Sequence, residues 1–223
     1  MIDLGEFFME KQDFVKIGGR TAIARTKASV PTRNLISSGR IPQGSSVLNH
    51  GCGRSDHDAT ELKKVAGEYE QHDPNHCPNP DALDKEYDVV ISNYVMNVLP
   101  PEVRDSAWKD VARATGGVAY VSVRSKGDKS IMKAAKKKYK DGIITGTGTF
   151  QKPYSAVAIT REAKKYFNNV ELIMGTKGGV SWTVACSDSK YNQQQHQDYL
   201  NTQNDEQSDD KDIEEIRRLA GIS

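Results

Sequence analysis

The chain has 223 residues, with 31 basic and 30 acidic side chains and a net charge of +1, so one domain plus tails fits and no global field selects a partner. No apolar run approaches the roughly 20 residues of a membrane span, and Asp3, Glu6 and Glu10 interrupt the apolar start in a way that signal peptides do not. Cys52, Cys77 and Cys186 are an odd number and argue against a disulfide framework, which together leads us to expect a cytoplasmic, reduced, non-membrane protein.

Residues 1–44 read as a helical or irregular lead-in, with Pro31 to Ser38 a short helix that starts near Ser29 or Val30 and stops at Gly39. Residues 45–187 alternate strand and helix signals. Ser46 to Asn49 is a strand, Asp56 to Val65 a helix and Glu68 to His72 a second strand. Val89, Val90 and Ile91 make Tyr87 to Ser92 a strand buried on both faces. Glu102 to Thr115 places Val103, Ala107, Val111 and Ala114 on one helical stripe, closed by Gly116 and Gly117, with Val118 to Val123 the next strand. Such alternation predicts a parallel sheet covered on both faces. Thr160 to Phe167 reads as a helix, and Val170 to Met174 with Val180 to Cys186 as an antiparallel hairpin across a glycine-rich turn. Residues 188–211 are too rich in Asn, Gln, Asp and Ser to pack and read as a disordered polar linker. Residues 212–223 read as a short amphipathic helix with Ile213, Ile216, Leu219 and Ala220 on one side. It is too short to stand alone, which suits docking on a protein partner or simple fraying.

The stretch from Val47 to Asp56 concentrates the chemistry. An apolar strand meets Gly51 and Gly53, a turn where the backbone approaches a ligand with no Cβ in the way. Dinucleotide and adenosyl cofactors both use such turns, and Asp73, about 20 residues on, suits either. His50, His57, His72 and His76 crowd near Cys52 and Cys77 with zinc-type donors, but no paired Cys-x-x-Cys or regular ligand spacing appears, so no metal is expected. Lysines 126, 129, 133, 136, 137, 138 and 140, at helical spacing with Ile131, Ala134 and Ala135, leave a basic outer face. With Arg20, Arg25, Lys27, Arg33 and Arg40 that face reads as a phosphate-tracking surface, in which Arg25, Arg33, Lys133, Lys136, Lys137 and Lys152 contact nucleic acid. A solvated helix face, or a patch shielded by the acidic tail, explains the same charges.

In chain order, Val47 to Gly53, Asp73 within Glu70 to Pro74, Asp88 with Ser92 to Leu99, and Val118 to Arg124 resemble class I S-adenosylmethionine-dependent methyltransferases. The resemblance implies an α/β fold: a doubly wound, mostly parallel, seven-stranded Rossmann-like sheet with a terminal antiparallel hairpin. It implies S-adenosyl-L-methionine as cofactor, lined by Asn49, Gly51, Cys52, Gly53, Ser92 and Asn93, with Asp73 on the ribose hydroxyls. Methyl transfer needs in-line alignment, and Asn93, Tyr94 and Asn97 are the candidates to orient or deprotonate the nucleophile. Tyr94 packing over the cofactor is the alternative. The segments Thr21 to Arg25, Pro31 to Arg33, Asp73-Pro74, Asn97-Val98, Asp141 to Thr145 and Gly148 to Lys152 are similar to methyltransferases associated with DNA phosphorothioation gene clusters. That branch implies nucleic acid, DNA first, as the acceptor, and a substrate-facing loop at Gly148 to Lys152. Asn49 stands where the family carries Asp and brings no charge to the cofactor's ammonium, while Ser55 replaces the loop's third glycine. The Pro-Pro tetrad of amino-methylating DNA enzymes and the Pro-Cys nucleophile of cytosine-C5 enzymes are absent. A non-catalytic adaptor of the same fold and a small-molecule methyltransferase are the alternatives.

Overall fold

In the computed structural model, residues 11–175 and 177–191 are described. The terminal helix and residues 192–211 of the expected linker lie outside the described residues, as does nearly all of a second compact unit from Tyr191 to Ser223, whereas Asp188 and Ser189, expected in the linker, belong to the last strand. Chain order runs α1 (Lys11–Gly19), α2 (Val30–Ser37), β1 (Ser46–His50), α3 (His57–Leu62), β2 (Glu68–His72), a 3-10 turn (Pro80–Asp84), β3 (Tyr87–Asn93) and α4 (Pro101–Arg113). It continues with β4 (Thr115–Arg124), α5 (Lys129–Ala134), β5 (Ala135–Tyr139), β6 (Gly142–Thr145), β7 (Phe150–Gln151), α6 (Ala156–Ala163), β8 (Phe167–Met174) and β9 (Ser181–Ser189). Helix starts are set locally: Ser29 accepts from the Thr32 N–H, Asp128 from Ser130 and Ser155 from Ala158.

The main sheet has the order β2-β1-β3-β4-β9-β8. β2, β1, β3 and β4 are parallel, and β9 runs antiparallel to both β4 and β8. Val89, Val90 and Ile91 are fully buried in β3, as their β-branched run predicts. On one side, Leu35, Ile41 and Leu62 from the flanking segments close over Val47, Val89, Ile91 and Tyr120 of the sheet.

The sheet is six-stranded, not seven-stranded. Residues 73–86 between β2 and β3 carry Pro74, Pro78 and Pro80 and the 3-10 turn, and cannot hold a further strand with two crossovers of about a dozen residues each. β2 is therefore an edge. Gly116 and Gly117 do not end α4 but lie within β4, where a Cβ on Gly117 would overlap the Asp88 carbonyl of the neighbouring strand. The helix expected from Thr160 to Phe167 sits one turn earlier, and Phe167 opens β8.

A second sheet, β5-β6-β7, is inserted after α5. It corrects the reading of the lysine run: only Lys129–Ala134 is helical, while Lys136, Lys137 and Lys138 lie exposed on the edge strand β5. Pairing with Ile143 and Ile144 of β6 overrides the helical spacing, and lysines on a free edge discourage strand-to-strand association.

A buried ionic cluster ties this insertion to the main body. Glu162 on α6 accepts from Arg104 Nε (2.9 Å), Trp108 Nε1 (2.9 Å), the Tyr154 hydroxyl (2.7 Å) and Lys152 Nζ (2.5 Å). Asp141, at the head of β6, accepts from Arg104 and from Lys152 Nζ (2.8 Å). Burial, and after it the Glu162 carboxylate, pushes the Tyr154 phenol well above its ordinary range, so it remains a donor. Lys152 is thus no free phosphate-tracking cation: its side chain is 12% exposed and spans two carboxylates. Removing Glu162 leaves Arg104 and Lys152 to share the single carboxylate of Asp141 and costs Trp108 and Tyr154 their acceptor, so Glu162→Ala should lower unfolding free energy in urea by about 3 kcal/mol.

Candidate functional site

The chain leaves β1 to form β2 on one side, then returns across β1 to form β3 on the other. That reversal opens a crevice beyond the carboxyl ends of β1 and β3, the place where doubly wound sheets bind ligands. A cavity of about 410 Å³ lies there, lined from the ends of β1, β2, β3 and β4 and roofed by α1, the segment after it, and the insertion.

The glycine loop forms its first wall. Gly51 has φ +72° and Gly53 φ +64°, the left-handed region that glycine enters without steric cost. A Cβ on Gly51 would also overlap the Val95 side chain, whereas one on Gly53 would meet Ala22 only at 3.6 Å. Asp73 holds this loop in place: Oδ2 accepts from the Gly53 N–H (3.1 Å), and Oδ1 from the N–H groups of Asn75 (2.8 Å) and His76 (3.1 Å). Asn49 is buried at the cavity wall and donates to the Tyr69 hydroxyl (3.2 Å), whose pKa burial pushes up to about 12.

His50 also lines the cavity, although the sequence marks it only as a possible metal donor. Its Nδ1 lies 3.2 Å from Ser92 Oγ, and burial lowers its pKa to about 4, against a smaller opposing effect of Asp110. It is a neutral imidazole near pH 7. Ser92, expected against the cofactor, is fully buried behind the wall as the partner of His50. The sequence offers no sign of this pairing, which arises because His50 and Ser92 are register partners in β1 and β3.

Beyond β3, Asn93 donates to Thr32 Oγ1 (2.9 Å) and Ser29 Oγ (3.2 Å), and its buried Oδ1 has no partner among the described residues. Tyr94 has φ +66° and is held between Arg25 and Arg124, whose guanidinium carbons lie 5.4 and 5.9 Å from the ring centroid. Asn97 is engaged on three sides: Oδ1 accepts from Arg124 N (3.2 Å), Nδ2 donates to Gln151 (3.4 Å), and its carbonyl accepts from Lys152 N (2.7 Å). It frames the cavity rather than presenting free polar atoms to it.

Three further placements differ from expectation. Asp88 lies at the opposite end of the sheet, accepting from Ser46 N (2.8 Å) and Ser46 Oγ (2.9 Å). Cys52 and Cys77 are paired as a disulfide, Cα 7.2 Å apart, because the turn after β2 folds back through reciprocal Asp73–Cys77 backbone bonds. Cys186 alone is free, and burial pushes its thiol up to about 12. Arg25 belongs to the cavity, while Arg33 is exposed on α2 and Lys133, Lys136 and Lys137 are exposed on α5 and β5, so the expected basic surface is not drawn together with it. Among the described residues no group of three or more metal-ligating side chains converges.

No family model matches the sequence, and neither does any curated protein. Solved structures share the fold. The 1,6-didemethyltoxoflavin-N1-methyltransferase of Burkholderia thailandensis, with 1,6-didemethyltoxoflavin and S-adenosylhomocysteine bound, is 13% identical at a TM-score of 0.52, over 81% of this chain and 87% of that one. A SAM dependent methyltransferase from Archaeoglobus fulgidus is 14% identical at 0.48, over 72% and 93%. The magnesium protoporphyrin IX methyltransferase of Synechocystis, with SAH bound, is 16% identical at 0.41, over 80% and 87%. At these identities the likeness is one of architecture: a Rossmann-like methyltransferase fold around a central sheet.

The lowered pKa of His50 makes stability depend on pH. Between pH 6.5 and about 4 the unfolded chain binds a proton that the folded chain refuses, so stability is full above 6.5 and falls as pH drops through that window. Over the whole window the loss from this group is about 3 kcal/mol. Urea titrations at pH 7, 5.5 and 4 should show it, and His50→Gln should flatten the dependence.

Proposed function

We propose that this chain is an S-adenosylmethionine-dependent methyltransferase whose acceptor is a small molecule held in the covered cavity. The observation that carries the reading is the Gly51–Gly53 loop at the strand-order reversal, bound through Gly53 to Asp73 at the end of the next strand. The residues suit the cofactor. Gly51 leaves no space for a side chain, so the backbone itself faces the cavity. Asp73 uses one lone pair of Oδ2 on Gly53 and keeps another for a ribose hydroxyl. Asn49 contributes hydrogen bonding but no charge near the amino-acid end. The S-adenosylhomocysteine bound in the Burkholderia neighbour supports adenosyl chemistry over nicotinamide.

The cofactor supplies an electrophilic methyl group when bound. The chain's own contribution is positioning. α1 and the insertion both line the cavity, and the Phe14 and Tyr139 rings lie 5.9 Å apart where the two meet. Asn93 and Tyr94 line the wall past β3, and His50 presents a neutral imidazole. Orientation of acceptor against the methyl carbon is the catalytic task these groups can perform.

A nucleic-acid acceptor is the second reading, supported by the exposed lysines of β5 and by the segments similar to the phosphorothioation-associated branch. The Burkholderia neighbour, crystallised with 1,6-didemethyltoxoflavin, supports the small molecule.

Calorimetric titration with S-adenosylmethionine should give saturable binding. Asp73→Ala should weaken it at least about tenfold, since loss of a charged hydrogen-bonding group removes roughly 1.5–3 kcal/mol. Gly51→Ala should destabilise the protein more than Gly53→Ala, whose strain alone is about 1–2 kcal/mol. No binding at millimolar cofactor would replace the enzyme with a non-catalytic adaptor. Tritiated methyl transfer to a metabolite pool, DNA and RNA then selects the acceptor.

A further inference from the structure

The polar cavity wall divides by strand. The glycine loop and Asp73 follow β1 and β2, whereas Arg124 closes β4, two strands from β1 and so about 10 Å away across the sheet. Tyr94, after β3, stands between these halves. Its ring has Arg25 and Arg124 within cation–π range, and all three side chains line the cavity. Thr145 and Gln151 of the insertion line it as well.

The two arginines at this end differ in their pairing, in a cavity that Asp58 and Asp110 also line. Arg124 pairs with Asp128, which is itself buried as the cap of α5. Arg25 is half-buried and has no carboxylate partner among the described residues. A partly buried guanidinium resting only on an aromatic face keeps its N–H donors available for a planar or tetrahedral anion. The backbone of Tyr94 reinforces the point: a tyrosine is held at φ +66°, where glycine would be relaxed, and its N–H is tied to the Ser122 carbonyl (2.7 Å). The ring is fixed as a platform within reach of both guanidiniums.

We infer that Arg25, Tyr94 and Arg124 form an anion subsite for the acceptor, which therefore carries a carboxylate or phosphate group, with an aromatic or other flat body beside the Tyr94 ring. This deepens the proposed function and rests on the glycine-loop half being the cofactor's. Arg25 is then a specificity-determining residue: it holds the acceptor's charged end while the rest reaches toward the cofactor.

The test uses full-length protein saturated with S-adenosylhomocysteine and titrated with benzoate, phenyl phosphate and the neutral isostere benzamide. Benzoate or phenyl phosphate should bind saturably, whichever fits better naming the anion, and benzamide should bind at least about tenfold more weakly. Arg25→Gln and Arg124→Gln should each weaken anion binding about tenfold, and Arg25→Lys should recover part of it, which separates charge from folding. S-adenosylhomocysteine affinity should stay within about twofold in Arg25→Gln, on the same scale of hydrogen-bond energies. Equal binding of benzamide, no saturable anion binding, or indifference to Arg25 would overturn the inference. So would an Arg25→Gln variant that loses S-adenosylhomocysteine but retains 5′-methylthioadenosine, because the arginine would then hold the cofactor's own carboxylate. Arg25-dependent benzoate binding without any S-adenosylhomocysteine binding would uphold the anion subsite and overturn the cofactor reading instead.

Discussion

Parallel strands that reverse their order cannot be covered evenly at their carboxyl ends. The chain leaves β1 in one direction for β2 and in the other for β3, and the two exits separate over a gap. Each feature of the cavity follows from that constraint. The first exit must turn at once, which places left-handed glycines at Gly51 and Gly53. The second exit turns at Tyr94, also left-handed. Because register aligns His50 with Ser92, the floor between the exits is polar yet buried, and the imidazole there stays neutral.

The roof is held by different physics. The three-stranded insertion is small, and its apolar contacts come from Tyr139, Ile143 and Phe150, since Lys136 to Lys138 face solvent. Beside those contacts, Asp141 and Lys152 bracket β6 and β7 and enter the buried cluster with Arg104 and Glu162. Two acids and two bases, with Tyr154 and Trp108 as further donors, satisfy one another in an otherwise unfavourable setting. A hydrophobic contact would allow the insertion to slide. Directed ionic hydrogen bonds specify one seat over the cavity.

Local signals made much of this legible from sequence. The β-branched run of β3, the glycine turn, Asp73 and the closing hairpin depend on neighbours in the chain, and each stands where its pattern puts it. What escaped depends on partners distant in sequence. The lysine run has helical spacing, yet β6 captures it as a strand. Lys152 looks like a surface cation until Glu162, on another element, is brought beside it. Cys52 and Cys77 carry no spacing rule, because the turn after β2 is what unites them. The seventh strand that the family resemblance implies has no room: residues 73–86 are too few and too proline-rich to hold it.

The left-handed tyrosine has a mechanical implication. Its backbone stores about 1–2 kcal/mol relative to an unstrained residue, of the same order as the cation–π attraction and hydrogen bond that seat it. Arg25 reaches the ring from a segment outside the sheet, and Arg124 from the end of β4. A ligand that engages either guanidinium would therefore act on the strained backbone at the end of β3 as well as on the cavity it enters.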